Sequence, residues 1–266
     1  MTQAERRLYL IRSLLNEKTE YQSLNVPRDA GEQRKLLRSL MNVRMPKATD
    51  EAFLRVQDEY LQQELTDEGI TDLDNLRPVS GDLYLWQGDI TRLKCGAIVN
   101  AANSGMTGCY IPCHACIDNC IHTFAGVQLR QDCAALMAEQ GHEEPTGQAK
   151  ITKAYNLPCD YVLHTVGPIV SGCVTREDER LLATCYRSCL ELAEKNSVRS
   201  IAFCCISTGV FHFPNERAAE IAVETVRRYK VETGSKIKVG FNVFKDLDKT
   251  IYERLLGANC VPAARA

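Results

Sequence analysis

No run of apolar residues in this chain is long enough to span a bilayer. The opening residues, Met1 to Arg7, lack the charged-then-apolar layout of a secretory leader. No lysine or arginine stripe stands out and the net charge is −2, so the basic patch that a nucleic-acid backbone requires is missing. Internal repeats and low-complexity segments are absent too. These absences exclude membrane and nucleic acid as expected partners and point to a cytoplasmic location. What remains is an ordinary globular composition, 45% hydrophobic and 25% charged over 266 residues. That length suffices for one large core, or for one core and a small accessory domain.

Cysteine is what the chain has in excess. Thirteen are present, and in a cytosolic chain of this size they are expected as reduced thiols, some in cores and some on metal. Cys204 and Cys205 continue the apolar run Ile201-Ala202-Phe203 and read as buried strand residues. Cys185 and Cys189 stand four apart on a predicted helix, the spacing of core packing. Cys95, Cys133, Cys159, Cys173 and Cys260 lie apart in sequence and carry no motif.

The first 75 residues differ from the rest. Leu8, Ile11, Leu14 and Leu15 repeat at helical spacing, as do Leu36, Leu37, Leu40 and Met41 before Pro46. Thr49-Asp50-Glu51 opens a third helix with Phe53, Val56, Tyr60 and Leu61 on its apolar face and Gly69 as its stop. Residues 1–75 are therefore expected as a helical extension packed on the main domain, with covering of a ligand crevice as the alternative. From Leu83 onward strands alternate with helices. Strands are expected at 83–86, 97–100, 149–154, 161–165, 200–206 and 236–244. Helices are expected at 118–139, 177–195, 215–229 and 247–256. That alternation predicts an α/β fold with three α/β/α layers and a mixed, largely parallel sheet in residues 76–266.

Chemistry concentrates in one segment. Cys109, Cys113, His114, Cys116, Cys120 and His122 surround Asp118 within a short stretch, and thiolate and imidazole are the ligands zinc prefers. The segment follows Ile98-Val99-Asn100-Ala101-Ala102-Asn103, a strand running into a polar loop, which is where α/β proteins bind ligands. From the residues alone, an open catalytic site with three ligands and a closed structural site using the Cys113-x-x-Cys116 pair both stand. Cys120 and His122 fall on the helix after Asp118 and read as packing or hydrogen-bonded residues. His164 and His212 have no spacing partner and read as structural. Ile206-Ser207-Thr208-Gly209-Val210-Phe211 ends a strand in small residues before a helix starting near Pro214, so its N–H groups suit a phosphate. Asp89, in Gly88-Asp89-Ile90-Thr91, can accept from an amino group of a base or cap its own turn. Asn100 and Asn103 can approach a ligand or satisfy turn backbone.

Taken together, Gly88-Asp89-Ile90-Thr91, Val99 to Asn103, Asp118 to Gly126, Gly147 to Thr152, His164-Thr165-Val166-Gly167-Pro168 and Ile206 to Phe211 resemble a macrodomain. The glycine run that hydrolase-type macrodomains carry before the aspartate helix is replaced here by Cys109 to Cys116. This resembles the zinc-containing macrodomains of microbes, which also carry a helical N-terminal extension. The resemblance implies a mono-ADP-ribosyl-protein hydrolase with one Zn2+ per chain on Cys109, His114 and Cys116. It implies that Asp89 and Ile90 hold the adenine end. Ser207, Thr208, Gly209, Val210 and Phe211 would cradle the diphosphate. Asn103 would bond a distal-ribose hydroxyl, and Asp118 would orient or deprotonate water. Zinc would either fix a ribose hydroxyl or lower the pKa of water. The implied partners are an ADP-ribosylated protein and the product ADP-ribose. The subfamily's association with a sirtuin-type transferase further implies a lipoyl-carrier protein like the glycine-cleavage H protein as substrate. The competing readings are a non-catalytic ADP-ribose-binding macrodomain with a structural zinc, and a different zinc hydrolase that acts on nucleotides or deaminates a base. The deaminase is disfavoured because Pro112-Cys113-His114-Ala115-Cys116 lacks an upstream His-x-Glu.

Overall fold

The computed structural model describes residues 1–21 and 23–257; Cys260 and the end of the 76–266 range lie outside the described residues. Three helices come first: α1 (Gln3–Asn16), α2 (Ala30–Val43) and α3 (Glu51–Glu68). Each opens on an oxygen-bearing cap, with Thr2, Asp29 and Asp50 accepting from the N–H three residues on. Their apolar stripes meet in a cluster containing Leu10, Ile11, Leu37, Phe53 and Tyr60, which also takes in Val127 from the following part of the chain.

A two-residue strand, β1 (Thr71–Asp72), precedes β2 (Leu83–Gln87) and β3 (Leu93–Ala102). Then come α4 (Ile117–Ala125), α5 (Val127–Gln140), β4 (Ala149–Lys153), β5 (Cys159–Val166), α6 (Arg176–Lys195), β6 (Ser200–Phe203), α7 (Asn215–Thr233), β7 (Lys238–Val243) and α8 (Asp246–Gly257). The sheet runs β2-β7-β6-β3-β5-β4, with β1 beside β3. β4 pairs antiparallel with β5, while the other pairings are parallel. The architecture is the expected three-layer α/β/α fold with a largely parallel sheet. Central strands carry Ala97, Ile98, Val99, Val162, Leu163, Ile201 and Ala202 at or near zero exposure, as a sheet covered on both faces requires. Among the described residues no helix is long and apolar enough to cross a membrane.

Two expectations change in the structure. The single helix expected at 118–139 is two, because Gly126 sits between them at φ +99°. A Cβ there would come within 2.5 Å of Gln57 Nε2, and Gln57 Oε1 accepts from Val127 N at 2.9 Å. A side chain of α3 thus caps α5, a long-range contact that the local apolar period does not carry. The strand expected at 200–206 ends at Phe203, so Cys204 and Cys205 lie just beyond it, Cys204 buried and Cys205 half-buried. Cys185 and Cys189 are fully buried on α6, as their spacing predicts.

β3 is the strand on which the site depends. It pairs with β5 along most of its length but with β6 only at Ala97 and Ile98. Its neighbours therefore part at its C-terminal end, and such a switch point leaves a crevice for ligand.

Candidate active site

Asn100, near the end of β3, has no exposed surface. Its Nδ2 donates to Asp118 Oδ1 at 2.8 Å and lies 3.1 Å from His164 Nδ1 on the paired strand β5. Register places Asn100 opposite His164. Because Nδ2 can only donate, Nδ1 is the bare nitrogen, and Nε2–H then points at Thr152 Oγ1, 2.9 Å away. Asn103 Nδ2 donates to Asp118 Oδ2 at 3.2 Å and to Gly108 O at 3.2 Å. Both oxygens of one carboxylate are thus held by amides from the strand end.

Asp118 lies in the first turn of α4, behind the cap Cys116, whose thiol accepts from Asn119 N. Burial pushes its carboxyl up to about 6, against the lowering effect of the Asn100 hydrogen bond, the Arg130 charge and the Asn103 hydrogen bond. A carboxyl brought toward neutrality is suited to proton transfer. His122 follows one turn later and puts Nε2 3.6 Å from Asp118 Oδ1. Burial holds its pKa well below the usual imidazole range. His122 is buried and neither ring nitrogen has a hydrogen-bond partner, so of the two roles the sequence left open, packing and hydrogen bonding, it takes packing.

The cysteine–histidine loop separates its members. The ligand atoms of Cys109, His114 and Cys116 lie within 4.8 Å of one another, with Cys109 Sγ 3.6 Å from His114 Nδ1. Two thiols and an imidazole this close fit a zinc ion and leave a fourth position free. Burial, with the Cys109 sulfur close by, raises the Cys116 thiol to about 12, a cost that a bound cation removes. Cys113 is elsewhere: its thiol is 3.2 Å from Ser39 Oγ and 3.4 Å from Lys35 O. Cys120 faces Arg38. A second trio, His122, Cys133 and His164, is also within 4.8 Å, but it is fully buried and His164 is already engaged on both nitrogens.

The turn after β6 carries strain. Ser207 and His212 have φ values of 64° and 58°, uncommon for side-chain-bearing residues. Phe213 N returns to Ser207 O at 3.0 Å and His212 N to Gly209 O at 3.1 Å. Among the described residues no acceptor takes the N–H groups of Gly209, Val210 or Phe211, and α7 begins four residues later at Asn215. Across the crevice, Gly167 approaches so closely that a Cβ would stand 2.1 Å from Ser207 Oγ.

The Macro domain family model matches residues 99–222, the span from β3 through the Ser207 turn into α7. A protein of Treponema medium named protein-ADP-ribose hydrolase is 62% identical over 260 residues, covering 96% of this chain and all of that one. The chain belongs to the macrodomain family. A protein-ADP-ribose hydrolase of Staphylococcus aureus is 50% identical and covers 92% of each chain. Among solved structures, the Trypanosoma brucei macrodomain in complex with ADP-ribose superimposes with a TM-score of 0.65 at 32% identity, over 83% of this chain and 95% of that one.

Within this macrodomain, Asn103 and Asp118 are brought together, and so are Cys109, His114 and Cys116. Asp89 takes the capping role that the sequence left open: its Oδ1 accepts from Thr91 N at 3.0 Å and from Thr91 Oγ1 at 2.7 Å. It remains half-buried beside buried Ile90, so its second oxygen is the one a base could reach. Asn100, for which ligand approach and turn backbone were both open, bonds Asp118, and His164 is the buried structural residue expected, held between Asn100 and Thr152. Asp118 and His122 at helical spacing gave a signal for His122, but strand register alone brings in His164.

Proposed function

We propose that this macrodomain hydrolyses the bond between ADP-ribose and a protein side chain, with zinc held by Cys109, His114 and Cys116. Support comes from the Treponema and Staphylococcus relatives, both named protein-ADP-ribose hydrolases. The single observation carrying the catalytic reading is Asp118, a buried carboxylate gripped through both oxygens at the end of β3. An ADP-ribose binder has no use for such a group.

The free N–H groups at Gly209, Val210 and Phe211, with the Ser207–Thr208 backbone, receive the diphosphate. Asp89 and the Ile90 N–H hold the adenine end. Asn103 turns its amide to a hydroxyl of the distal ribose, which orients the anomeric carbon toward Asp118. Asp118 accepts a proton from water as the water oxygen bonds to that carbon. The bond to the protein side chain breaks, and the side chain leaves with its electron pair. Positive charge developing on the ribose ring is stabilised by the same carboxylate. Held by Cys109, His114 and Cys116, zinc would supply positive charge and Lewis acidity to the site. The products are ADP-ribose and the restored protein.

The test is zinc content and ADP-ribose release for the wild type, Cys113→Ala and Cys116→Ala. A lipoyl-carrier protein of the glycine-cleavage H type, the substrate implied by resemblance, is assayed beside generic mono-ADP-ribosylated proteins. Cys116→Ala loses metal and activity while Cys113→Ala keeps both. Wild-type protein that binds ADP-ribose and holds zinc yet releases nothing from any substrate would establish the binding-only alternative.

A further inference from the structure

The loop from Cys109 to Cys116 has little internal support. Among the described residues its one internal backbone hydrogen bond is His114 N to Ile111 O, at 3.2 Å. Cys113 stands at φ 52°, a conformation that a residue with a side chain adopts only where its surroundings hold it. The surroundings here come from α2. Arg38 Nη2 donates to His114 O at 2.8 Å and to Asn119 Oδ1 at 3.0 Å. Asn119 in turn donates to Cys109 O at 3.3 Å and Ile111 O at 3.0 Å. Four residues along α2, Asn42 Oδ1 accepts from Cys113 N at 2.9 Å, and Asn42 Nδ2 donates to Thr123 at 2.8 Å. Arg130 links the same helix end to the loop: its Nη1 donates to the carbonyls of Met41, Asn42 and Arg44 while its guanidinium lies 4.3 Å from the Tyr110 ring centroid.

We propose that α2 of the N-terminal extension is the positioning element of the metal loop, with Arg38 as its principal residue. The inference rests on the zinc reading above. One guanidinium nitrogen reaches the backbone of His114 directly and that of Cys109 through Asn119, so it sets the separation of two of the three donors before any ion arrives. A loop without this brace would be ordered at the expense of binding free energy. Groups that orient metal ligands from behind characteristically change affinity by about 10–100-fold when removed.

The experiment is competition for zinc between a chromogenic chelator and the full-length protein. The wild type is compared with Arg38→Ala and Arg38→Lys, and the metal-free proteins are followed by thermal unfolding and ADP-ribose titration. Arg38→Ala weakens zinc binding by about 10–100-fold, Arg38→Lys falls between it and the wild type, and the metal-free melting temperature and ADP-ribose affinity stay near wild type. Zinc affinity of Arg38→Ala equal to wild type overturns the inference and leaves the zinc reading standing. Zinc affinity that falls only together with metal-free stability and ADP-ribose binding marks a fold residue and also overturns it. A wild type that binds no zinc removes the zinc reading itself, and this inference with it.

Discussion

Asn100 and Asp118, both buried, meet at 2.8 Å between the end of the central strand and the first turn of α4. The same amide nitrogen lies 3.1 Å from His164, so one strand side chain fixes both a carboxylate oxygen and an imidazole tautomer. Replacing Asn100 by alanine strips both partners of their donor. Leaving buried polar groups unpaired costs about 1–3 kcal/mol, and hydrolysis should fall as the carboxylate loses its aim. Chemical denaturation with single-turnover kinetics measures both. Unchanged stability and rate in Asn100→Ala would show that the contact contributes nothing.

Asp118→Asn should keep the side-chain volume while removing the base, at the cost of turning its amide NH2 toward one of the two donors, Asn100 or Asn103, that the carboxylate accepts from. General acid–base catalysis contributes about 10²–10⁴-fold, so the chemical step should slow by that order while ADP-ribose affinity, measured calorimetrically, changes little. Turnover within a few-fold of wild type would point to another residue as the base.

His122 and His164 are buried, and burial depresses both imidazoles, His164 to about 3. The unfolded chain takes up these protons near pH 6.5, whereas the native protein refuses them until far lower. Their contribution is complete above 6.5 and declines below it, each by up to about 1.4 kcal/mol per pH unit. Asp118, raised to about 6, works oppositely: the native state binds its proton before the unfolded chain does, offsetting roughly one histidine between pH 6 and 4. Urea unfolding of chelator-treated protein should therefore show lower stability at pH 5 than at pH 7.5. Asp118→Asn should steepen the decline; a flat profile in both proteins contradicts the assignment.

Gly167→Ala places a methyl group 2.1 Å from Ser207 Oγ and 2.8 Å from Ile206 Cγ2. Ser207 Oγ has no hydrogen-bond partner and can rotate, but the Ile206 methyl must move as well, and Ser207 is already at φ 64°, so the turn offered to the diphosphate should shift. ADP-ribose affinity should drop by about tenfold or more, equivalent to about 1.4 kcal/mol, with a smaller effect on melting temperature. Calorimetric titration beside a thermal melt separates the two.

Ile11 is fully buried among the N-terminal helices. Truncation to alanine should cost about 2–5 kcal/mol. We expect the loss across one cooperative transition rather than in the helical extension alone. Arg130 satisfies three carbonyls at the end of α2, and Asn42 is bonded to Thr123. A separate early transition in Ile11→Ala would show that residues 1–75 unfold independently.

The helices and strands were legible in sequence because their apolar periods are local properties: Leu36, Leu37, Leu40 and Met41 share a helix face whatever lies beside them. The alternation from Leu83 onward likewise determined an α/β sheet of mainly parallel strands, since each crossover helix forces that direction. The cysteine–histidine loop showed its candidate metal donors in sequence through residue type alone. Tertiary structure decided which donors converge, because a loop of several cysteines can turn any of them inward; here the Lys35 carbonyl and Ser39 take Cys113 away. It also decided that Gly126 breaks a helix against Gln57 and that His164 stands opposite Asn100, since pairing register and helix docking are settled between segments far apart in the chain.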